Sequence, residues 1–312
     1  MMRDAIGTIE YWNEWVVFEA ETIAKFSKLR EEPSANPSYE PQFVRDLAFR
    51  YMKLMLRRYS RGDSTGELAQ YFEPLLRFWK ESMQLGQSVW TPEQQRKRHT
   101  WAINFEHYND SFWLVALALC LEVSDDQWVH LLDLIDNEGE DALLDRIIAT
   151  RQPGRKIGPS LLYPKPYARL LEAIDAPAHK QAKLLQRFVE HWYVEIENAP
   201  RSGKQAQGYP IRRPYWYGYH TPMKGGYFGF WCLEAVAAAK AFGLDDSLCV
   251  GHPHYPGDLL RGNVVTPANA SRLPAQLVKS LNAPEPMPVG TPEQISNWEA
   301  FKRVIVNKLR PY

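Results

Sequence analysis

With 312 residues the chain can bury a sizeable core, and its 37 basic side chains balance 37 acidic ones, so no net field gathers nucleic acid or an anionic membrane. The 13% aromatic content, including 11 Trp, points to large rings packed inside. Cys120, Cys232 and Cys249 form neither a disulfide framework nor a zinc spacing, and Met1-Met2-Arg3-Asp4 opens no apolar leader, so a reducing cytoplasm is the expected compartment.

Helical periodicity runs through the sequence, and strand alternation is absent. A first helix is expected over Ile9–Lys28, closed by the Pro/Ser loop from Glu32 to Pro41. A second runs from Gln42 to Arg61, with Gly62 as its stop and arginines at its C-terminal end. The third spans Thr65–Met83. Thr91-Pro92-Glu93 reads as a helix start, with Thr as N-cap and Pro at the first helical position. Trp101, Phe105, Tyr108, Phe112, Val115 and Leu119 continue that pattern at helical spacing. Shorter helices follow from Asp125, across the break at Asn137-Glu138-Gly139, and then over Pro164–Ile174 and Pro177–Asn198.

The stretch from Gly225 to Lys240 is almost uncharged and moves from aromatics into Ala235, Ala237, Ala238 and Ala239. Alanine favours helix and lets neighbouring helices approach closely. The fold class implied is all-α, a multi-helix bundle array around this central, buried, alanine- and aromatic-rich helix. Composition shifts suggest an N-terminal module over 1–123, a C-terminal module over 124–260, and a Pro-rich extension over 261–312. That extension ends in an amphipathic pattern: Thr291-Pro292-Glu293-Gln294 fits a capping box, and Trp298, Phe301 and Ile305 form an apolar stripe.

The chain contains no Gly-rich phosphate loop, no Gly-x-Ser-x-Gly elbow and no His-Glu-x-x-His. His252, His254 and Asp258, with His220, are the metal-ligand candidates, and would support a metal-dependent enzyme with Glu234 as its acid. Set against this, two histidines in a Pro-rich turn lack a well-spaced third ligand, and hydrogen-bonded structural histidines are the commoner outcome. Glu234, the one acid in an apolar run, reads more readily as a carboxylate paired with a buried donor. Arg96-Lys97-Arg98-His99 is too short a basic run for nucleic-acid binding and reads as a solvated helix face.

The acidic stretch carries the clearest charge signal. Glu122, Asp125, Asp126, Asp133, Asp136, Glu138, Glu140, Asp141 and Asp145 follow one another with no Lys or Arg between them. Helical spacing turns Trp128, Leu131, Leu132 and Ile135 inward and leaves Asp133, Asp136, Glu140 and Asp141 outside. Crowded acids repel one another unless a basic partner uses them, and such a patch steers that partner. The spacing lacks the ligand loop of an EF-hand.

Two ordered strings of residues carry a resemblance. The first is Phe228-Gly229-Phe230-Trp231-Cys232-Leu233-Glu234-Ala235-Val236-Ala237-Ala238-Ala239-Lys240, followed by Phe242-Gly243-Leu244-Asp245-Asp246-Ser247 and His252-Pro253-His254-Tyr255-Pro256-Gly257-Asp258-Leu259. The second lies upstream, from Tyr51 to Leu68 with Arg57-Arg58-Tyr59-Ser60-Arg61-Gly62, and in Tyr108-Asn109-Asp110-Ser111-Phe112-Trp113 through Leu121-Glu122-Val123-Ser124-Asp125-Asp126. Together they resemble the PoNi family, immunity proteins that neutralise PoNe-type DNase toxins in bacterial competition. Gly257 departs from the pattern, where a large residue such as Tyr is expected. The resemblance implies an all-helical, non-enzymatic binding protein with no cofactor. It implies a basic-surfaced DNase toxin, delivered by a secretion system such as type VI, as partner. It implies no direct nucleic-acid or membrane contact, and the chain is expected to be a monomer or homodimer. On this reading the signature residues build the core, and Asp133, Asp136, Glu138, Glu140 and Asp141 are the expected toxin contacts.

Overall fold

The computed structural model describes residues 1–196, 214–219, 225–262, 264–266, 268, 269 and 273. Its apolar stripes close into ten α-helices, and the described residues contain no strand. The first three form a helical layer. Helix α1 (Ile9–Arg30) starts at Thr8, whose hydroxyl accepts the Tyr11 amide at 3.2 Å. It packs on α2 (Glu40–Arg61), which packs in turn along α3 (Phe72–Val89). Gly62 ends α2 at φ 104°, in the left-handed conformation that glycine adopts without a steric cost. The predicted third helix starts later than expected, because two 3₁₀ turns, Thr65–Glu67 and Ala69–Tyr71, precede Phe72.

Helix α4 (Pro92–His99) has the predicted start, with Thr91 as N-cap and Pro92 at the first helical position, and Gln94 completes a capping box beyond that expectation. It does not run on into the aromatic pattern. Asn104 opens a separate helix, α5 (Phe105–Cys120), by accepting the His107 amide at 3.1 Å while donating to the Arg98 carbonyl at 3.0 Å. Every residue of α5 except Glu106 is buried. Then come α6 (Asp125–Ile135), α7 (Leu144–Ala149) and the paired α8 (Pro164–Asp175) and α9 (Ala178–Ile196). Helix α10 (Leu233–Phe242) packs chiefly on α5, and Leu233–Ala239 are all buried. The alanines are what allow two buried helices to meet so closely.

The expected central helix is therefore shorter at its N-terminus. Gly225–Cys232 form a non-helical strap, not the start of α10. Buried non-helical backbone needs outside hydrogen-bond partners, and distant side chains supply them. Tyr11 donates to the Tyr227 carbonyl at 2.8 Å, Ser60 to Phe228 at 3.2 Å, His254 Nδ1 to Phe230 at 2.9 Å, and Arg57 to Gly225. Gly229, at φ 99°, lies so close to its neighbours that a Cβ would fall 2.1 Å from Trp231 Nε1 and 2.5 Å from Ser60 Oγ.

Several charged groups lie inside this core. Arg3 is 1% exposed and donates to Asp258 at 2.7 Å and to the carbonyls of Tyr59, Asp63 and Val264, tying the N-terminus to the last described turn. Glu19 on α1 pairs with Arg50 and Arg57 on α2. Glu234 at the start of α10 accepts from Asn109 and Tyr167, each at 3.1 Å, which is the donor-paired role expected of it. Desolvation pushes its carboxyl up to about 7, against the pull of its own backbone amide, of the Tyr167 hydroxyl and of the indoles of Trp113 and Trp192. No helix among the described residues is long and apolar enough to cross a membrane.

Candidate interaction surface

The acid-rich hairpin is built from α6, a turn and α7. Ser124 starts α6 with a reciprocal cap: its hydroxyl accepts the Gln127 amide at 3.3 Å and its own amide donates to Gln127 Oε1 at 3.2 Å. Trp128, Leu131, Leu134 and Ile135 point inward, while Asp126, Val129, Asp133 and Asp136 are exposed along the outer face.

The turn that follows takes three left-handed steps: Asp136 at φ 47°, Asn137 at φ 61° and Gly139 at φ 84°. Side chains hold it there. Asn137 donates to the carbonyls of His99 and Ile135, both at 2.7 Å, and accepts the Trp101 amide at 3.0 Å. This side chain binds the hairpin to the α4–α5 connection. Asp145 accepts the amides of Gly139, Asp141 and Gly158 at 3.1–3.2 Å and the Arg155 guanidinium at 2.8 Å. The Lys156 amide donates to Glu138 Oε1 at 2.7 Å.

Asp133, Asp136, Glu138 and Glu140 are all exposed, as the sequence pattern leads one to expect. Asp141 is not. It is fully buried, and its expected place on the outer side is corrected. Its carboxylate caps α7 by accepting the amides of Leu143 at 2.9 Å and Leu144 at 2.7 Å. It also takes the Leu162 amide at 2.8 Å and the Tyr108 hydroxyl at 3.0 Å. Burial raises its pKa while these donors pull it down. The signal was in the sequence: Asp141-Ala142-Leu143-Leu144 is an N-cap residue before an apolar run.

The flanks of the acidic stretch are neutralised from outside it. Lys240 reaches Glu122 at 2.8 Å, Arg151 reaches Asp125 at 2.9 Å, and Arg155 holds Asp145. No such ion pair reaches Asp126, Asp133, Asp136, Glu138 or Glu140 among the described residues. What remains, among the described residues, is a series of exposed carboxylates without an ion pair, along the outer face of α6 and on the turn that buried groups fix after it, with only the Lys156 amide reaching Glu138.

The alternative constellation does not come together as a ligand set. His252 and His254 are buried, and the His254 amide donates to His252 Nδ1 at 3.1 Å. The His254 ring lies flat on Tyr193 at 5.4 Å, and desolvation lowers its pKa to about 4. Asp258 is occupied by Arg3 and by the Thr266 amide at 2.8 Å. His220 lies outside the described residues, as do the capping box at Thr291 and the stripe of Trp298, Phe301 and Ile305. Among the described residues no three His, Cys, Asp or Glu side chains are placed to hold a metal ion. The basic run on α4 is dispersed: Lys97 pairs with Glu93, while Arg98 stacks over Trp90 at 4.0 Å and donates to Gln42.

An all-α array of this kind, with one long acidic hairpin, is the class of protein that the fold defines. Two family models then match nearly end to end: that for the N-terminal part of PoNe immunity proteins (PoNi) over residues 3–133, and that for the C-terminal part over residues 139–259. The chain belongs to the PoNi family of immunity proteins. Among solved structures, protein PA2201 from Pseudomonas aeruginosa is similar with a TM-score of 0.61 at 19% identity, covering 83% of this chain and 89% of that one. At that identity the likeness speaks for the fold alone. No curated protein matches the sequence.

Proposed function

We propose that this immunity protein binds and neutralises a cognate DNase toxin of the PoNe type, with Asp133, Asp136, Glu138 and Glu140 as its contacts. The toxin would be one delivered between competing bacteria, and the immunity protein would act in the cytoplasm of the producing cell. The observation that carries this reading is the set of exposed carboxylates, without an ion pair among the described residues, at the end of α6 and on the turn that buried groups hold after it. A DNase grips phosphates with cations, so its substrate-binding face is basic. An acidic patch facing it speeds encounter and rejects partners of the wrong charge. A turn already held in place loses little freedom on binding, so less of the interaction energy is spent on ordering.

The organisation that goes with this is an N-terminal module over 1–123, a C-terminal module over 124–260, and an extension over 261–312. The two family models meet between residues 133 and 139, across the acidic turn itself. The test is co-purification with the toxin encoded beside this gene, followed by a DNase assay with and without the immunity protein. The quadruple variant Asp133→Lys/Asp136→Lys/Glu138→Lys/Glu140→Lys is expected to weaken binding at least a hundredfold at low salt while keeping its helicity. Unchanged affinity removes this surface from the interface. Residual DNase activity in the complex with the unaltered protein would refute neutralisation by binding.

A further inference from the structure

The outward face of α1 is also apolar, although its inward face is already committed to the core through Trp12, Val16, Ile23 and Phe26. Ile9, Val17, Ala20 and Ala24, with the polar Asn13 between the first two, recur at intervals of three or four residues along this face, and all are exposed, Ile9 by 43% and Val17 by 52%. Beside this stripe run Glu10, Glu14 and Glu21, followed on the same side by the exposed Lys25 and Lys28 in the last turns of the helix, and beyond the glutamates stands Phe18, 48% exposed with its ring against Trp15. The three glutamates carry no ion pair among the described residues. A surface helix ordinarily turns a polar face outward, so a second apolar stripe bordered from Glu10 to Glu21 by acids without an ion pair among the described residues asks for a basic, amphipathic partner.

The chain itself encodes such a partner. From residue 298 onward the sequence holds Lys302, Arg303, Lys308 and Arg310 against a single acid, Glu299, interleaved with the apolar pattern of Trp298, Phe301 and Ile305. The point of departure is also suitable. The Ala268 amide donates to the Arg3 carbonyl at 3.3 Å and that of Asn269 to Gly251 at 2.8 Å, so the chain leaves the described fold beside the N-terminus that leads into α1. The connection from 270 to 290 spans up to on the order of 70 Å when extended, about twice the length of α1.

We propose that the C-terminal segment 291–312 docks on the outward face of α1 of the same chain, its apolar stripe on Val17 and Ala20 and its cations on Glu14 and Glu21. This docking does not depend on the toxin-binding reading. The experiment uses the full chain with a photoreactive phenylalanine at Asn13 or at Ala24, two exposed positions where a substitution leaves the core untouched. Irradiation and peptide mapping are expected to give an intramolecular crosslink to 291–312 from both positions. Glu14→Lys/Glu21→Lys should cut the yield at least fivefold, and adding Lys302→Glu/Arg303→Glu should restore it. A crosslink within a covalent dimer, to another segment of the chain, or at neither position overturns the proposal, as does a yield indifferent to charge reversal.

Discussion

Asp136 offers a test in which stability and function should move in opposite directions. Its backbone sits at φ 47°, ψ −142°, a region open to glycine and strained for any residue with a Cβ. Such strain costs of order 1–3 kcal/mol. Against this, glycine has more freedom to lose on folding, roughly 0.5–1 kcal/mol. The Arg155 guanidinium donates to the Asp136 carbonyl, a contact that survives replacement, and the side chain is exposed and makes no ion pair with any described residue, so the described fold loses nothing else. Asp136→Gly should therefore stabilise the protein by about 1 kcal/mol, seen as a higher urea midpoint at unchanged slope. If the carboxylate is a toxin contact, the same variant should bind the toxin at least fivefold more weakly. Asp136→Asn, which removes the charge and keeps the strain, should lose affinity without gaining stability. A lower urea midpoint for Asp136→Gly would refute the reasoning on strain. Undiminished toxin binding by both variants would show that this carboxylate is kept for some other reason.

Three further outcomes follow from the interior. Asp145→Ala leaves Arg155 nearly buried without its counter-charge and frees three amides, so a loss of about 3–5 kcal/mol in chemical denaturation is expected. Gly229→Ala forces a Cβ into Trp231 and Ser60 at φ 99°, and should cost more than about 2 kcal/mol or prevent folding. For Glu234 the folded pKa of about 7 lies above the ordinary 4.5, chiefly through desolvation, so the stability it contributes is fully present below pH 4.5 and is lost as pH rises through 7. Desolvation lowers His99 and His254 to about 4 and His107 to about 3, which tilts stability the other way below pH 6.5. The informative quantity is thus the difference between the unaltered protein and Glu234→Gln from pH 6 to 8. The unaltered protein should lose stability relative to the variant by on the order of 1 kcal/mol across that range, and parallel curves would contradict a carboxyl titrating there.

Much of this architecture is written locally in the chain. Thr8, Thr91 and Ser124 mark helix starts and Gly62 a stop, and each does so through hydrogen bonds within a few residues, which is why the pattern reads directly. The acid-rich hairpin and the buried alanines of α10 are legible for the same reason, being matters of spacing. Gly225–Cys232 is not, because an apolar run of that length suits a buried helix or a buried strap equally well. The choice is made by Tyr11, Ser60 and Arg57, which lie more than 160 residues away and satisfy the strap's carbonyls. Asp145 hides its role in the same way: counted along the sequence it belongs to an acidic cluster, and Arg155 and Gly158 make it an interior acceptor. Asp141 is half legible, since it caps the nearby Leu143 and Leu144 amides, while Tyr108 and Leu162 complete its burial from far along the chain.

That division within one acidic stretch has a consequence for how partner choice can change. The interior carboxylates accept backbone amides and one guanidinium, and so fix the course of the turn whatever its outer side chains are. Among the described residues the outer carboxylates of Asp133, Asp136 and Glu140 carry no ion pair, and that of Glu138 takes the Lys156 amide, so their replacement leaves the core unaltered. Surface changes of this kind ordinarily shift stability by less than about 0.5 kcal/mol, whereas loss of a buried pair costs several times more. Substitutions that redirect the surface toward a different basic partner are thus separated, residue by residue, from those that would unfold the protein. On the proposed reading, variation between immunity proteins for different toxins should be concentrated at 126, 129, 133, 136, 138 and 140. It should spare Asn137, Asp141 and Asp145, whose hydrogen bonds hold the turn on which those residues stand.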